Sequence, residues 1–424
     1  MELLIAGLII LVLSLVGTPL FALLAAGGLL AFYLAGIDTA VFIVELHRLA
    51  DFPALIAIPL FTFAGYILAE SKAPRRLMNF VQALFGWMPG GMAIVALCTT
   101  AMFTAFTGAS GVTIIALGGL LYPALLEHGY PQKFSLGLVT TSGSLGLLFP
   151  PSLPIILYAL VAKVSLDTLF LAGLVPGVFL LLVLFAYGIR TGRKAKITLI
   201  PFSAGVLWRA LKDAAWELPL SFVVIGGIYG GYFTATEASA ITAMYVLIVE
   251  VIIRRDLNIT GDIPRITRSS MILVGAILVM MGAALGVTNY LIDQEIPKIL
   301  FEFISRFVTS KNVFLIVLNL FILVMNMIEI FSAIIIIVPI IVPVALQYGV
   351  NPVHLGIIFL LNLELGYMTP PLGLNLFLSS IRFEKHLPVV YKAVLPFFLL
   401  VLIVLLLITY IPHLSLLLTG LPGK

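Results

Sequence analysis

The sequence predicts an all-α polytopic membrane protein built as an inverted repeat, with two re-entrant helical hairpins and two broken helices. Three observations carry that prediction. The 424 residues are 62% hydrophobic and only 10% charged, with a mean hydropathy of +1.22, a composition outside the range of soluble globular domains. Two apolar stretches of membrane length are interrupted by the same Gly-x-x-x-Pro-Pro signal, at Gly146-Leu-Leu-Phe-Pro150-Pro151 and, 220 residues later, at Gly366-Tyr-Met-Thr-Pro370-Pro371. Around each of them lies a segment too long for one membrane crossing and too short for two full ones.

In chain order, hydropathy predicts spans near 2–16, 19–35 and 54–70. Met1-Glu2 lacks the basic start and the cleavage site of a secretory signal, so the first segment reads as a retained span. Segment 91–126 folds back as a hairpin with arms 91–106 and 112–126, turning at Thr107-Gly108-Ala109-Ser110-Gly111. At about 1.5 Å per residue neither arm crosses a hydrocarbon core of about 30 Å. The first broken helix is 131–164: proline removes a backbone donor and pushes its predecessor out of helical geometry, so Pro150-Pro151 unwinds it locally. Spans follow near 168–189, 216–231, 235–253 and 270–290. The second hairpin has arms 313–326 and 333–347 around 327–332; the second broken helix is 352–381, and a last span covers 389–411. Amphipathic pieces at 38–50, 72–88, 202–215 and 294–308 read as helices lying in the interface, and 190–200 and 254–268 as polar loops.

The two halves correspond residue by residue. Laying 123–176 on 343–396 without a gap pairs Pro123 with Pro343, Gly129 with Gly349, Gly146 with Gly366, Pro150 and Pro151 with Pro370 and Pro371, and Pro176 with Pro396. Four of the six prolines in each window coincide, where random placement gives roughly 0.7. If both hairpins enter and leave on one side, 17 of the 23 Lys and Arg share a face, which the positive-inside rule makes cytoplasmic, with the N-terminus periplasmic. The halves then have opposite orientation, the plan of secondary transporters, whose ion and substrate sites lie where unwound helices meet at the midplane.

Unwound backbone offers carbonyls, and hard cations take oxygen ligands. A first Na⁺ site is predicted from Gly108 and Ser110 at the hairpin turn with Ser142, Gly143, Gly146 and the carbonyls before Pro150; a second from Glu329 and Ser332 with Asn362, Gly366, Thr369 and Pro370. No Lys or Arg falls in either core, so an anionic substrate would rest on helix N-termini, backbone amides and hydroxyls, with Ser110, Thr113, Ser152 and Asn375 the candidate side chains. The bland reading of the small and hydroxyl residues is close helix packing. Glu237, Glu329 and Glu364 fall at apparent membrane depth, where a carboxylate suggests cation coupling or a proton relay. Thr234-Ala-Thr-Glu237 also fits a helix cap, and Asn289, Asn319 and Asn326 fit interhelical hydrogen bonds. No His-Glu-x-x-His or Gly-x-x-x-x-Gly-Lys-Ser/Thr motif occurs, and no histidine is placed as a base for Ser110, so an enzyme is not predicted. Nor is a cofactor or a nucleic-acid partner. Cys98, the single cysteine, excludes an internal disulfide.

Read in order, Gly108-Ala-Ser-Gly-Val-Thr113, Pro123, Gly129-Tyr130, Gly146-Leu-Leu-Phe-Pro-Pro-Ser152, Phe170-Leu-Ala-Gly173-Leu-Val-Pro-Gly177, Thr234-Ala-Thr-Glu-Ala-Ser239 and Thr369-Pro-Pro-Leu-Gly373 make a pattern. It resembles the large membrane (M) subunit of tripartite ATP-independent periplasmic (TRAP) transporters, across essentially the whole chain. The resemblance implies an ion-transporter-superfamily fold with an elevator-type transport domain. It also implies Na⁺ coupling, a soluble periplasmic substrate-binding (P) protein and a small four-helix membrane (Q) subunit in a bacterial inner membrane. With no four-span domain before the first repeat, the chain resembles the unfused form. Family substrates are small organic carboxylates, among them C4-dicarboxylates and sugar acids, with sialic acid favoured here. Glu329 stands opposite Ala109, a departure from symmetry between the two cation sites. The implied division is scaffold 1–88, first transport repeat 89–190, scaffold 191–311, second transport repeat 312–411 and tail 412–424. A proton-coupled transporter, a channel and a membrane scaffold that moves nothing are the alternatives.

Overall fold

The computed structural model describes residues 16–195, 201–325, 330–371 and 373–421, together with Ile10, Val12, Leu13 and Ile197. Among them every regular element is helical. The first predicted span, near 2–16, lies largely outside the described residues, as do 326–329, with Asn326 and Glu329.

Five apolar helices open the described chain: α1 (Leu20–Leu34), the interfacial α2 (Ala40–Arg48), α3 (Ala57–Glu70), the amphipathic arm α4 (Ala73–Phe85) and α5 (Gly91–Thr107), the inner arm of the first hairpin. The outer arm is itself bent, α6 (Ser110–Ala116) meeting α7 (Gly118–Glu127) at 49°. Gly118-Gly119 and Pro123, whose ring crowds the carbonyl four residues earlier, account for the bend. The first broken helix comprises α8 (Gln132–Ser142), a 3₁₀ turn (Leu145–Leu148), the Pro150-Pro151 step and α9 (Leu153–Ala162), bent by 44°. Next come α10 (Leu166–Ala195), α11 (Ala204–Asp213), α12 (Leu218–Tyr229), α13 (Ala235–Leu247) with a π-helical end, Ile248–Ile253, α14 (Asp262–Asp293) and α15 (Ile296–Ser305). The second half closes with hairpin arms α16 (Lys311–Met325) and α17 (Ile330–Gln347), broken helix α18 (Pro352–Gly366) and α19 (Leu374–Arg382), then α20 (Leu387–Tyr410) and α21 (His413–Leu416).

Two predicted loops are shorter than read. Helix α10 continues to Ala195 and α14 starts at Asp262, because Arg and Lys propagate a helix well once it leaves the apolar layer. The second hairpin also departs from prediction: α17 already begins at Ile330, so Ser332 sits in its first turn. Glu237 is a cap. The Thr234 amide donates to its carboxylate at 2.8 Å, while the Glu237 amide donates to Thr234 Oγ1 at 3.3 Å.

The offset of 220 extends to the helices, since Gly91 and Lys311 open α5 and α16, and Gln132 and Pro352 open α8 and α18. The contacts mirror one another too. Helix α20 packs on α8 and α10 on α18; α6 packs on α19 and α17 on α9, so each hairpin touches the other half's broken helix. Among the helices outside the two repeats, α13 packs on α3, and α14 against α1, α2 and α3.

A buried ion cluster ties α4 to the start of α12 and the end of α13. Arg76 on α4 donates to Glu217 (2.6 Å), to both oxygens of Glu250 (3.0 and 2.9 Å) and to Asp256. Burial alone pushes Asp256 up, but the Arg76 hydrogen bond and charge, with the Lys72 amide at 3.1 Å, hold its carboxyl below the usual range.

Candidate functional site

The turn of the first hairpin is built by two residues. Gly108 takes a left-handed conformation (φ 63°) and its amide donates to the Thr104 carbonyl at 2.8 Å, closing α5, and Ala109 is extended before Ser110 starts α6. A side chain at 108 would meet Leu153 at the start of α9, so the turn lies against the broken helix. Gly146 has the same role from the other side: a Cβ there would overlap the Ala101 carbonyl and the Ala105 amide, and the 3₁₀ turn therefore lies flush on α5.

Around this contact the polar groups of both segments join. Thr104 Oγ1 lies 2.7 Å from Thr113 Oγ1 across the hairpin and donates to the Gly143 carbonyl at 2.9 Å, just past the end of α8. From the second half, the Asn375 amide on α19 donates to the Thr140 carbonyl (3.2 Å) and to Ser144 Oγ (3.4 Å), and Ser379 Oγ stands 2.9 Å from Thr140 Oγ1. Five buried oxygens at the turn and the helix breaks have no protein partner among the described residues: Thr107 Oγ1, Ser110 Oγ, Thr141 Oγ1, Ser152 Oγ and Asn375 Oδ1; Thr99 Oγ1 in mid-α5 and the Tyr122 hydroxyl on α7 have none either. Buried polar atoms are otherwise almost always satisfied, so such a group calls for a ligand or water. The set is of neutral oxygens, the donors an alkali cation or a carboxylate with its counter-ion takes. Scaffold helix α3 reaches this tip, since a Cβ on Gly65 would overlap the backbone of Phe106 and Thr107.

The first predicted set is thus brought together: Gly108, Ser110, Gly143 and Gly146 meet at one contact, beside buried Ser142 and Pro150. Ser142 Oγ is within reach of the Val139 carbonyl of its own helix (3.3 Å). The predicted substrate residues Ser110, Thr113, Ser152 and Asn375 fall on the same segments, Thr113 with its hydroxyl on Thr104. Thr107 belongs to the predicted 107–111 tip, whereas sequence reasoning missed Thr104, Thr141, Ser144 and Ser379, which carry no motif and are revealed as a group only by the packing.

The second set is more dispersed. Asn362 donates to Asn319 Oδ1 at 2.6 Å, and Asn319 to Thr409 Oγ1 at 3.3 Å, so α18 is bonded to α16 and α16 to α20. Thr369 donates to the Leu365 carbonyl at 2.8 Å, Ser332 Oγ lies 3.4 Å from Met280 Sδ of scaffold helix α14, Gly366 is buried and Pro370 is exposed. Glu364 is wholly buried, and among the described residues neither of its oxygens has a hydrogen-bond partner, nor does Asn362 Oδ1.

Comparisons with known proteins agree with this architecture. Residues 7–414 match the family model described as the DctM component of tripartite ATP-independent periplasmic transporters. The C4-dicarboxylate TRAP transporter large permease protein DctM of Pseudomonas aeruginosa is 34% identical over 375 residues, 88% of each chain. The isethionate TRAP transporter permease protein DctMQ of Oleidesulfovibrio alaskensis is 34% identical over 95% of this chain and 62% of its own length. The ectoine TRAP transporter large permease protein TeaC of Halomonas elongata is 30% identical over 96% of this chain and 97% of its own. Among solved structures, the Alcanivorax borkumensis YdaH transporter, described as having an unusual topology, aligns with a TM-score of 0.65 at 13% identity, over 91% of this chain and 89% of that one. Helical hairpins, broken helices and a family match over nearly the whole length converge: the chain is a multi-pass membrane protein of the DctM family, the large permease component of TRAP transporters.

Proposed function

We propose that this permease is a Na⁺-coupled importer of a small organic acid in a bacterial inner membrane, with its N-terminus periplasmic. A periplasmic binding protein delivers the substrate, and a separate four-helix subunit completes the membrane part. The two repeats, 89–190 and 312–411, move against the scaffold as an elevator. The observation that carries this reading is the group of five unpartnered buried oxygens at the first hairpin and the first break. Na⁺ fits there among Gly108, Ser110, Ser142, Gly143, Gly146 and the carbonyls before Pro150, with the Asn375 amide oxygen turned to the cation, while the carboxylate rests on the Ser152 hydroxyl and the N-terminal ends of α9 and α19. A second cation site at Ser332, Asn362, Gly366, Thr369 and Pro370, with Glu329, completes the proposal.

The relatives' names speak of C4-dicarboxylates, isethionate and ectoine. Sialic acid is our preference within the same class of small organic acids. The test is uptake into proteoliposomes holding this chain, the four-helix subunit and the cognate binding protein, with all four substrates, under a Na⁺ gradient or a proton gradient alone. Na⁺-driven uptake of one acid is expected. Full uptake on the proton gradient would overturn the coupling and turn attention to Glu364.

A further inference from the structure

Beside the first hairpin lies a lateral recess of about 740 Å³, walled by Phe80 and Leu84 on α4, Cys98 and Met102 on α5, and Leu218 and Val223 on α12. A smaller one of about 190 Å³ shares Cys98 and Met102 with it and ends on Pro150, at the first break. Every lining side chain is apolar. Another face of the α4–α11 pair is different, with Asn79, Gln82, Arg209 and Asp213 set among Ala83, Val206 and Ala210 around a part-polar hollow, and the Lys212 ammonium 5.2 Å from the Trp208 ring. All three tryptophans of the chain, Trp87, Trp208 and Trp216, are on α11 or beside the ends of α4 and α12, and all are exposed. Exposed tryptophans gather at headgroup level, which places the polar hollow among headgroups and the apolar recess just beneath them.

We propose that the recess holds an acyl chain of an anionic phospholipid, with the phosphate bound by Arg209 and Lys212 and the end of the chain reaching toward Pro150. Basic side chains near a membrane surface attract such headgroups, and an apolar recess that opens sideways into the acyl layer fills with lipid. The chain lies between α5 of the first repeat and α12 of the scaffold. Any displacement of one against the other reshapes the recess, so the bound lipid sets how freely the first repeat moves. This inference needs the membrane setting alone and stands or falls independently of Na⁺ coupling.

Cys98 lines both parts of the recess and is the single cysteine, so its alkylation by N-ethylmaleimide reports occupancy. The purified full-length chain in detergent is titrated with palmitoyl-oleoyl phosphatidylglycerol, and with the phosphatidylcholine of the same chains. Phosphatidylglycerol is expected to slow alkylation saturably, and the surface double variant Arg209→Gln/Lys212→Gln to need roughly tenfold more of it. Native mass spectrometry of the same samples is expected to show a retained phosphatidylglycerol that the double variant loses. Equal protection by the two lipids, equal midpoints for wild type and variant, or no protection at all would overturn the proposal.

Discussion

The two halves of the molecule have the same helices in the same order, but they do not have the same chemistry. At the offset of 220, Thr104 faces Val324, Thr113 faces Ala333, Gly143 faces Leu363, Ser144 faces Glu364 and Asn375 faces Ile155. The residues kept in both, Gly146 with Gly366 and the two Pro-Pro pairs, are those the backbone needs in order to unwind and pack. The Thr104 and Thr113 hydroxyls are not needed for that, because the second half builds the same elements with Val324 and Ala333, while Asn362 and Glu364 put different polar groups at its own break. The concentration of hydroxyls at the first break therefore argues for a ligand there rather than for packing. The arms differ as well. Arm α4 is tied by buried Arg76 to three carboxylates, whereas α15, its counterpart, carries an exposed Lys298–Glu295 pair.

Breaking the arm asymmetry gives the largest expected effect. Arg76→Met leaves three carboxylates without their cation and should cost about 3–5 kcal/mol of stability. Lys298→Met should leave the unfolding midpoint unchanged, because exposed pairs contribute little. A smaller midpoint shift for Arg76→Met than for Lys298→Met would remove the contrast. Next comes Gly65→Val. Its side chain would collide with the Phe106–Thr107 backbone, at an overpacking cost of about 1–3 kcal/mol that falls on the tip, and most uptake should disappear. At the offset of 220 the counterpart position is Leu285, so glycine is not repeated there. Unimpaired uptake by Gly65→Val would mean that the tip does not seat on the scaffold during transport.

Ser110→Ala should raise the Na⁺ needed for half-maximal uptake roughly tenfold, the effect of losing one interaction of about 1.4 kcal/mol. Ser332→Ala, on the proposed second site, should raise it less, since Ser332 lies against Met280 of the scaffold. Equal shifts would restore symmetry between the sites. The smallest effect concerns pH. The native pKa of Asp256 is depressed, so its contribution is present above the unfolded value, about 3.9, and is lost as pH falls through the lower native one. The stability difference between wild type and Asp256→Asn should accordingly shrink below about pH 4.

The fold was legible in the sequence to an unusual degree, for a physical reason. A membrane restricts the backbone to helices and allows it to unwind only inside protein, so hydropathy and Pro-Pro locate most elements. Helix ends beyond the apolar layer, at Ala195 and Asp262, escaped because hydropathy stops where charge begins while the helix does not. Of the site, the glycines and prolines were readable because unwinding needs them. Thr104 and Thr141 were not: a threonine in a helix commonly returns its hydroxyl to its own backbone, as Thr100 does to the Ala96 carbonyl at 2.7 Å. Only the packing of α5 against α8 and the 3₁₀ turn distinguishes those that do not. Glu364 is legible as a candidate coupling residue from its depth in an apolar helix, and among the described residues its carboxylate has no hydrogen-bond partner.

The central claim is that the first hairpin and the first break together bind a cation. Calorimetric titration of the purified chain with NaCl against KCl tests it directly, comparing wild type, Thr104→Val and Val324→Thr. Thr104→Val should weaken Na⁺ binding roughly tenfold, because it releases the Gly143 carbonyl and Thr113 from their positions. Val324→Thr should leave that affinity as it is. Wild-type Na⁺ affinity in Thr104→Val would contradict the assignment of the cation to the first hairpin.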